Sequence, residues 1–404
     1  MNGKYLTEKD NVEYSEYLRN LYNISTNNVK NITFIVTEDC PLACTYCYEK
    51  HKSNKKMSFD VVRKGIDLIF DNEKLNGYYD INNIKGFVID FIGGEPFIAV
   101  DVMDYATEYF KQKAYSVNET IYYNSKFSTS SNGVLYRTTE VQDYIRKNFG
   151  KLSLGISLDG NKQLHDSCRV FKDGRGSYDL AADALKDVVS KNEYATTKMT
   201  LSPDNIIYTF EAIKSLYEDI GLHFVNANCV FESGWTDEHA NIFYDELIKL
   251  ADWIIDNKLY DKFYCSLFRS DLGKSYGYTD TNYCGGNGRM IAIGTNGDCY
   301  PCLRYAPISL TKRPPLVIGN VNDGLLTNID ETNICKHLCN ITMISQSPQK
   351  CLDCKVSGGC GLCSGFNYDE FGDANVRATY ICEMHKMRVK ANEYFWSKLK
   401  GVVA

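Results

Sequence analysis

Three cysteines, Cys40, Cys44 and Cys47, share one short stretch directly after the apolar run ITFIVT (32–37). Ten more of the sixteen crowd between residues 284 and 382, and only Cys168, Cys229 and Cys265 lie between the two groups. Thiols kept for packing scatter along a chain. Thiols gathered in this way hold metal or do chemistry, because a reducing interior disfavours disulfides. The opening MNGKYLTEKDNVEYSEYL has neither the basic start nor the apolar stretch of a secretory signal. No apolar run reaches the roughly 20 residues of a membrane span. A cytoplasmic protein that meets no membrane is expected. The net charge of -6 forms no basic stripe, so nucleic acid is not an expected partner.

At 404 residues the chain exceeds what one core holds, about 250 to 300 residues, and two units are expected. From residue 31 strand-like runs alternate with amphipathic stretches: ITFIVT (32–37), GFVIDFIGG (86–94), NSKFSTSSNG (124–133), LSLGISLDG (152–160), TKMTLSP (197–203) and FVNANCVF (224–231). Between them Ser58 is expected to cap a helix presenting Val62, Ile66, Ile69 and Phe70, and Ser177 one presenting Leu180, Ala184 and Val188. Further helices are expected near 101–115, 138–149, 207–219 and 237–257. Six β/α units imply an α/β fold, a partial (β/α)6 barrel over 31–257, after a helical extension over 1–30. From 258 to 404 the rhythm gives way to a small Cys-rich C-terminal domain with a helical tail near 383–399. That domain has little apolar surface and is expected to fold around metal. Chemistry in parallel β/α folds collects just after the strands.

The triad is spaced Cys-x-x-x-Cys-x-x-Cys, in CPLACTYC. Three thiolates can hold three irons of a 4Fe-4S cluster and leave the fourth open. A zinc knuckle is the alternative, with His51 as the nearest further ligand. Gly93-Gly94-Glu95-Pro96 ends the second strand, SLDG (157–160) the fourth, and HDSCR (165–169) follows. Asn132-Gly133 closes the third strand, as a pocket wall or a plain turn; Cys168 reads as a small buried apolar residue.

In these motifs and its cysteine-rich tail the chain resembles the radical S-adenosylmethionine superfamily, in the subgroup with a SPASM domain, over roughly residues 31 to 385. The resemblance implies that the open iron chelates S-adenosylmethionine and yields a 5'-deoxyadenosyl radical. It implies Tyr46 against the adenine, Gly93, Gly94 and Glu95 at the methionyl ammonium, Ser157 and Asp159 near the ribose, and Arg169 near the carboxylate. It further implies two auxiliary 4Fe-4S clusters, one on Cys284, Cys302 and Cys363 and one on Cys351, Cys354, Cys360 and Cys382, three clusters in all. Read alone, the spacing CLDC...CGLC also suits a zinc ribbon. TNGD (295–298) is expected to form the turn between Cys284 and Cys302.

Two departures bear on function. Cys360 and Cys363 are separated by two residues where three are usual. CGGNGRM (284–290) lacks the cysteine that many relatives place shortly after the equivalent of Cys284. The first auxiliary cluster then recruits Cys265, Cys299, Cys335 or Cys339, or keeps an open iron. The resemblance implies work on peptide or protein side chains. Sulfatase-maturating relatives carry an Asp base directly after the equivalent of Cys302; Leu303 stands there and cannot accept a proton. Thioether cross-linking of a ribosomally made precursor peptide is the favoured expectation, with carbon-carbon linkage or oxidation to formylglycine as alternatives. The implied partners are that peptide and a reductase or flavodoxin-type electron donor; because only 39 residues precede Cys40, too few for a winged-helix leader module, the leader is expected to be bound elsewhere or by a separate leader-binding protein.

Overall fold

The computed structural model describes residues 28–273, 284–326 and 334–403. All six expected strands form: β1 (Val29–Thr37), β2 (Gly86–Gly93), β3 (Lys126–Ser131), β4 (Leu152–Ile156), β5 (Thr196–Leu201) and β6 (Phe224–Cys229). They pair parallel in chain order. Crossover helices join them: α1 (Phe59–Ile69), α2 (Val100–Val117), α3 (Thr139–Lys147), α4 (Lys162–Cys168), α5 (Tyr178–Lys191), α6 (Thr209–Glu218) and α7 (Asp237–Asp256). A two-residue strand, β7 (Tyr264–Cys265), extends the sheet beyond the six expected strands.

Alternation explains the layers. Ile89, Phe91, Phe127, Met199 and Val225 are buried toward the helices. Phe110 on α2 meets Phe87 and Phe127, each with ring centroids 5.8 Å apart, and seats that helix across β2 and β3. Each such side chain contributes about 1.5–3 kcal/mol by leaving water. The opposite face carries Asp90, Ser128 and Ser153 in register, with Lys198 beside Asn226. A closed barrel fills its interior with apolar side chains; this face of the sheet carries polar ones.

The remaining strands are β8 (Met290–Ile293), β9 (Asp298–Tyr300), β10 (Gly319–Asn320) and β11 (Gly324–Leu325). β8 lies parallel to the free edge of β1, and β9 to β11 continue antiparallel. The eleven-stranded sheet ends at β7 and β11 and stays unclosed. The Cys-rich region thus shares the barrel's sheet. TNGD turns between β8 and β9, with Gly297 at φ 87°. Three short helices between Ile334 and Leu352 are followed by α8 (Ser364–Phe371) and α9 (Cys382–Val403). α9 returns along α7, where Phe395 stacks on Phe268 at 4.5 Å and Tyr394 donates to Asp252 at 2.7 Å. The expected helical extension falls mostly outside the described residues, and β1 already begins at Val29.

Ser58 caps α1 as expected, accepting from the Val61 N–H at 3.2 Å. Ser177 does not cap α5: its hydroxyl donates to the Arg169 carbonyl at 2.8 Å and meets His165 Nε2 at 2.9 Å. Leu180 is 47% exposed, and α5 buries Ala181, Ala184 and Leu185 instead.

Candidate active site

The triad loop leaves β1 at Thr37. Its backbone is tied to the segment after α4, Ala43 N–H to the Val170 carbonyl at 2.8 Å and Thr45 N–H to that of Cys168 at 3.0 Å. Cys40 is buried and its N–H donates to the Asp39 carboxylate at 2.8 Å. Burial pushes its thiol up to about 12, against the pull of Lys52. Lys52 donates to the Leu42 carbonyl at 3.2 Å and feels the charge of all three triad thiols. Arg169 is the main cation acting on Cys44. Thiols this buried lose their protons to a metal rather than to water. Among the described residues no three His, Cys, Asp or Glu groups gather tightly enough to hold a single ion; thiolates on separate irons of a cluster share no metal atom and stand farther apart.

Gly93 and Gly94 owe their identity to backbone packing. A Cβ on Gly93 would strike the Thr37 carbonyl, and one on Gly94 the Asp39 carbonyl and Cys40. Gly94 N–H donates to Thr37 O at 3.1 Å and Glu95 N–H to Asp39 O at 2.8 Å, so the end of β2 clamps the approach to Cys40. Glu95 is 1% exposed. Its Oε1 accepts from Ser131 Oγ (2.8 Å) and Phe97 N–H (3.1 Å), its Oε2 from Asn132 N–H (2.7 Å). Burial, only partly offset by these bonds, pushes its pKa up to about 7.

Asp159, at the end of β4, is fully buried and paired with Arg169, Nε to Oδ2 at 2.8 Å and Nη2 to Oδ1 at 3.5 Å. It also accepts from the Tyr46 hydroxyl and from Thr200 N–H at 3.1 Å. The Arg169 guanidinium lies 5.4 Å from the Tyr46 ring centroid. Tyr46, Asp159 and Arg169, expected at three separate points of the cofactor, are therefore one hydrogen-bonded unit under Cys44. The Asp159 oxygens are engaged by protein donors, so its direct work is to hold Arg169 and Tyr46. Ser157 lies at the same strand end, its N–H bonded to Ser131 O at 2.9 Å. His165, overlooked within HDSCR, is fully buried and accepts from Asp159 N–H at 3.3 Å. Its signal was its place in the quoted motif.

Among the C-terminal thiols, Cys302 feels Cys363 and Cys284, and Cys351 and Cys360 feel Cys382. Burial raises Cys302, and Cys363 and Cys284 raise it further. Cys363 begins α8 and its sulfur accepts from Phe366 N–H at 3.4 Å. In the second group burial raises Cys351 and Cys360, Arg377 opposes it, and Cys382 adds to both, with Cys354 acting on Cys351. Cys363 itself feels Cys284 and Arg304. Cys265 and Cys229 face Arg388, Cys299 is buried in β9, and Cys339 faces Lys30 and Arg289. The Cys335 side chain is outside the described residues. Beside Cys363 and Cys302 lies Arg304, missed in sequence because a lone Arg carries no spacing. It grips Glu232 Oε1 at 3.1 and 3.2 Å and stands 4.3 Å from the Tyr48 ring centroid.

A family described as a 4Fe-4S single cluster domain matches residues 29–146. The serine-type anaerobic sulfatase-maturating enzyme of Bacteroides thetaiotaomicron is 23% identical over 85% of this chain and 84% of its own length. The cysteine-type enzyme of Clostridium novyi is 21% identical over 90% and 96%. The fold matches that of anSMEcpe with bound AdoMet, TM-score 0.69 at 18% identity over 93% of this chain and 98% of that one. It also matches Streptococcus suis SuiB bound to the precursor peptide SuiA, TM-score 0.55 at 15% identity over 92% and 80%. Among the described residues no helix is long and apolar enough to cross a membrane. Triad, fold and relatives agree, and the chain is a radical S-adenosylmethionine enzyme of the maturase type, similar to the anaerobic sulfatase-maturating enzymes.

Proposed function

We propose that this enzyme acts on a ribosomally made peptide and joins a cysteine sulfur to carbon, forming a thioether. In this reading Cys40, Cys44 and Cys47 hold the cluster that carries S-adenosylmethionine, and the two C-terminal cysteine groups hold auxiliary clusters. Cluster and S-adenosylmethionine together would supply a radical that takes hydrogen from the substrate. Glu95 keeps one acceptor position on Oε2 for the ammonium, and Arg169 Nη1, without a partner among the described residues, suits the carboxylate. Asp159 fixes Arg169 and Tyr46. In this reading the peptide enters over the polar face of the sheet, between the triad and Cys302.

The observation that carries the choice of bond is the group Cys284, Cys302 and Cys363. Cys265 lies by Arg388 and Cys299 within β9, while Cys339 lies against Gly288 of the CGGNGRM loop; in this reading neither Cys339 nor Cys335 joins the cluster, and a site with three protein thiolates has room for a fourth from the substrate. Leu303 beside it removes the base that oxidation to formylglycine requires. Similarity to sulfatase-maturating enzymes favours that oxidation as the second reading. The match to a fold that binds a precursor peptide supports a peptide substrate. Coexpression with a Cys-rich peptide from a neighbouring reading frame should yield a product lacking two hydrogens and one alkylatable thiol per bond. A product that reacts as an aldehyde, with its remaining thiols free, would establish the oxidation instead. A reductase or flavodoxin-type donor, and a separate leader-binding protein, complete the proposed system.

A further inference from the structure

Cys302 ends in a turn, Leu303–Tyr305, that brings a tyrosine back beside the thiol it follows. A Cβ placed on Gly286 would lie 3.2 Å from Cys302 Sγ and 3.3 Å from Tyr305 Cε2, so the thiol and the ring edge converge on one point of the CGGNGRM loop. Tyr305 is fully buried, its N–H bonded to Cys302 O at 3.0 Å and its ring against Tyr368 with centroids 5.6 Å apart. Its hydroxyl has no hydrogen-bond partner among the described residues. Buried phenols normally find one, because an unmade bond in a dry site costs the full desolvation of the group.

The orphan has company. Asn287, 6% exposed, leaves both its amide nitrogen and its oxygen unpaired, and the buried Ser364 hydroxyl is unpaired as well. Asn287 is three residues from Cys284, Tyr305 three from Cys302, and Ser364 one from Cys363. Among the described residues, no orphaned side chain lies within three residues of the other seven candidate cysteine ligands. Three buried groups able to donate, each within three residues of one of these thiols and with Tyr305 beside Cys302, suit an acceptor such as a cluster's sulfur atoms.

We propose that Tyr305, seconded by Asn287, donates a hydrogen bond to a sulfur of the cluster held by Cys284, Cys302 and Cys363, and thereby sets that cluster's reduction potential. The inference rests on the auxiliary-cluster reading above. Hydrogen bonds to cluster sulfur favour the more negative, reduced state and so raise the potential. Tyr305 is thus assigned a positioning and tuning role.

The test uses the anaerobically cluster-loaded full chain, titrated with mediators and followed by electron paramagnetic resonance. Tyr305→Phe and Asn287→Leu should each keep full iron and sulfide content, yet move one cluster's midpoint to more negative potential and leave the other two in place. Pulsed spectra recorded in heavy water should show an exchangeable proton coupled to that cluster, lost in Tyr305→Phe. Tyr368→Phe is the control, since that hydroxyl donates to Pro314 O at 3.0 Å and packs on the same ring; its midpoints should match the parent. An unmoved midpoint in Tyr305→Phe overturns the proposal, as does an equal shift in Tyr368→Phe. A three-iron signal in Tyr305→Phe would make the phenol an iron ligand and also overturn it. Failure of the underlying reading looks different: the joint change of Cys284, Cys302 and Cys363 to Ala would then leave the iron content unaltered.

Discussion

Replacing Asp159 by Leu should strand a charge in the barrel. The Asp159 side chain is fully buried and that of Arg169 is 9% exposed, so neither group has water to fall back on. Leucine would leave the guanidinium without its carboxylate and would orphan the Tyr46 hydroxyl and the Thr200 N–H. Breaking a buried pair from one side costs about 3–5 kcal/mol. For a chain of 404 residues, unfolding entropy near the midpoint is about 0.85 kcal/mol per kelvin, which converts that loss to a fall in Tm of roughly 4–6 °C. Differential scanning calorimetry of the loaded enzyme reads it. Asp159→Leu combined with Arg169→Leu should recover much of the fall, since an apolar pair of similar volume is nearly neutral in such a site, giving a coupling above about 2 kcal/mol. A single-variant loss under about 1 kcal/mol, the range of exposed pairs, would refute the reasoning. Strict additivity of the two changes would refute it equally.

His165 is held neutral, its pKa pushed down from 6.5 to about 4, first by burial and then by Arg169. The unfolded chain takes up a proton in that window while the native one does not. The stabilisation is thus complete above pH 6.5 and lost as pH falls toward 4, by at most about 3 kcal/mol. His165→Gln should flatten that limb of the Tm profile, and an unchanged slope would count against it. Gly94→Ala forces a methyl into the Asp39 carbonyl and to 2.9 Å from Cys40 Cβ; iron content should drop by one cluster, and full loading would show that the clamp yields. Glu95→Ala and Arg169→Ala should each weaken S-adenosylmethionine binding by about 1.5–3 kcal/mol with clusters retained; equal affinity by equilibrium dialysis would remove both from the pocket.

What the sequence reveals here is whatever repeats or clusters locally. The six strands declare themselves because alternation is a property of neighbouring residues, and the triad because its three thiols share one loop. The two C-terminal thiol groups were separable only through resemblance, since Cys363 joins Cys284 and Cys302 across some eighty residues. Long-range pairing stayed hidden. Nothing in MIAI (290–293) announces that it will lie parallel to ITFIVT, and the two residues of β7 are too few to show a period. Ser177 has the residue type and place of a cap, yet its hydroxyl serves His165 and Arg169, partners fixed by tertiary packing. Gly93 and Gly94 suggested approach to a ligand, where the nearer constraint is the chain's own Thr37 and Asp39.

The parallel pairing of β8 with β1 also has a consequence for the making of the protein. β1 is among the first strands to leave the ribosome, but the partner for its outer edge emerges about 260 residues later. At about 5–20 residues per second, that edge stays open for roughly ten to fifty seconds. Throughout the interval the nascent chain presents the unpaired backbone of a strongly apolar strand, a template for wrong association.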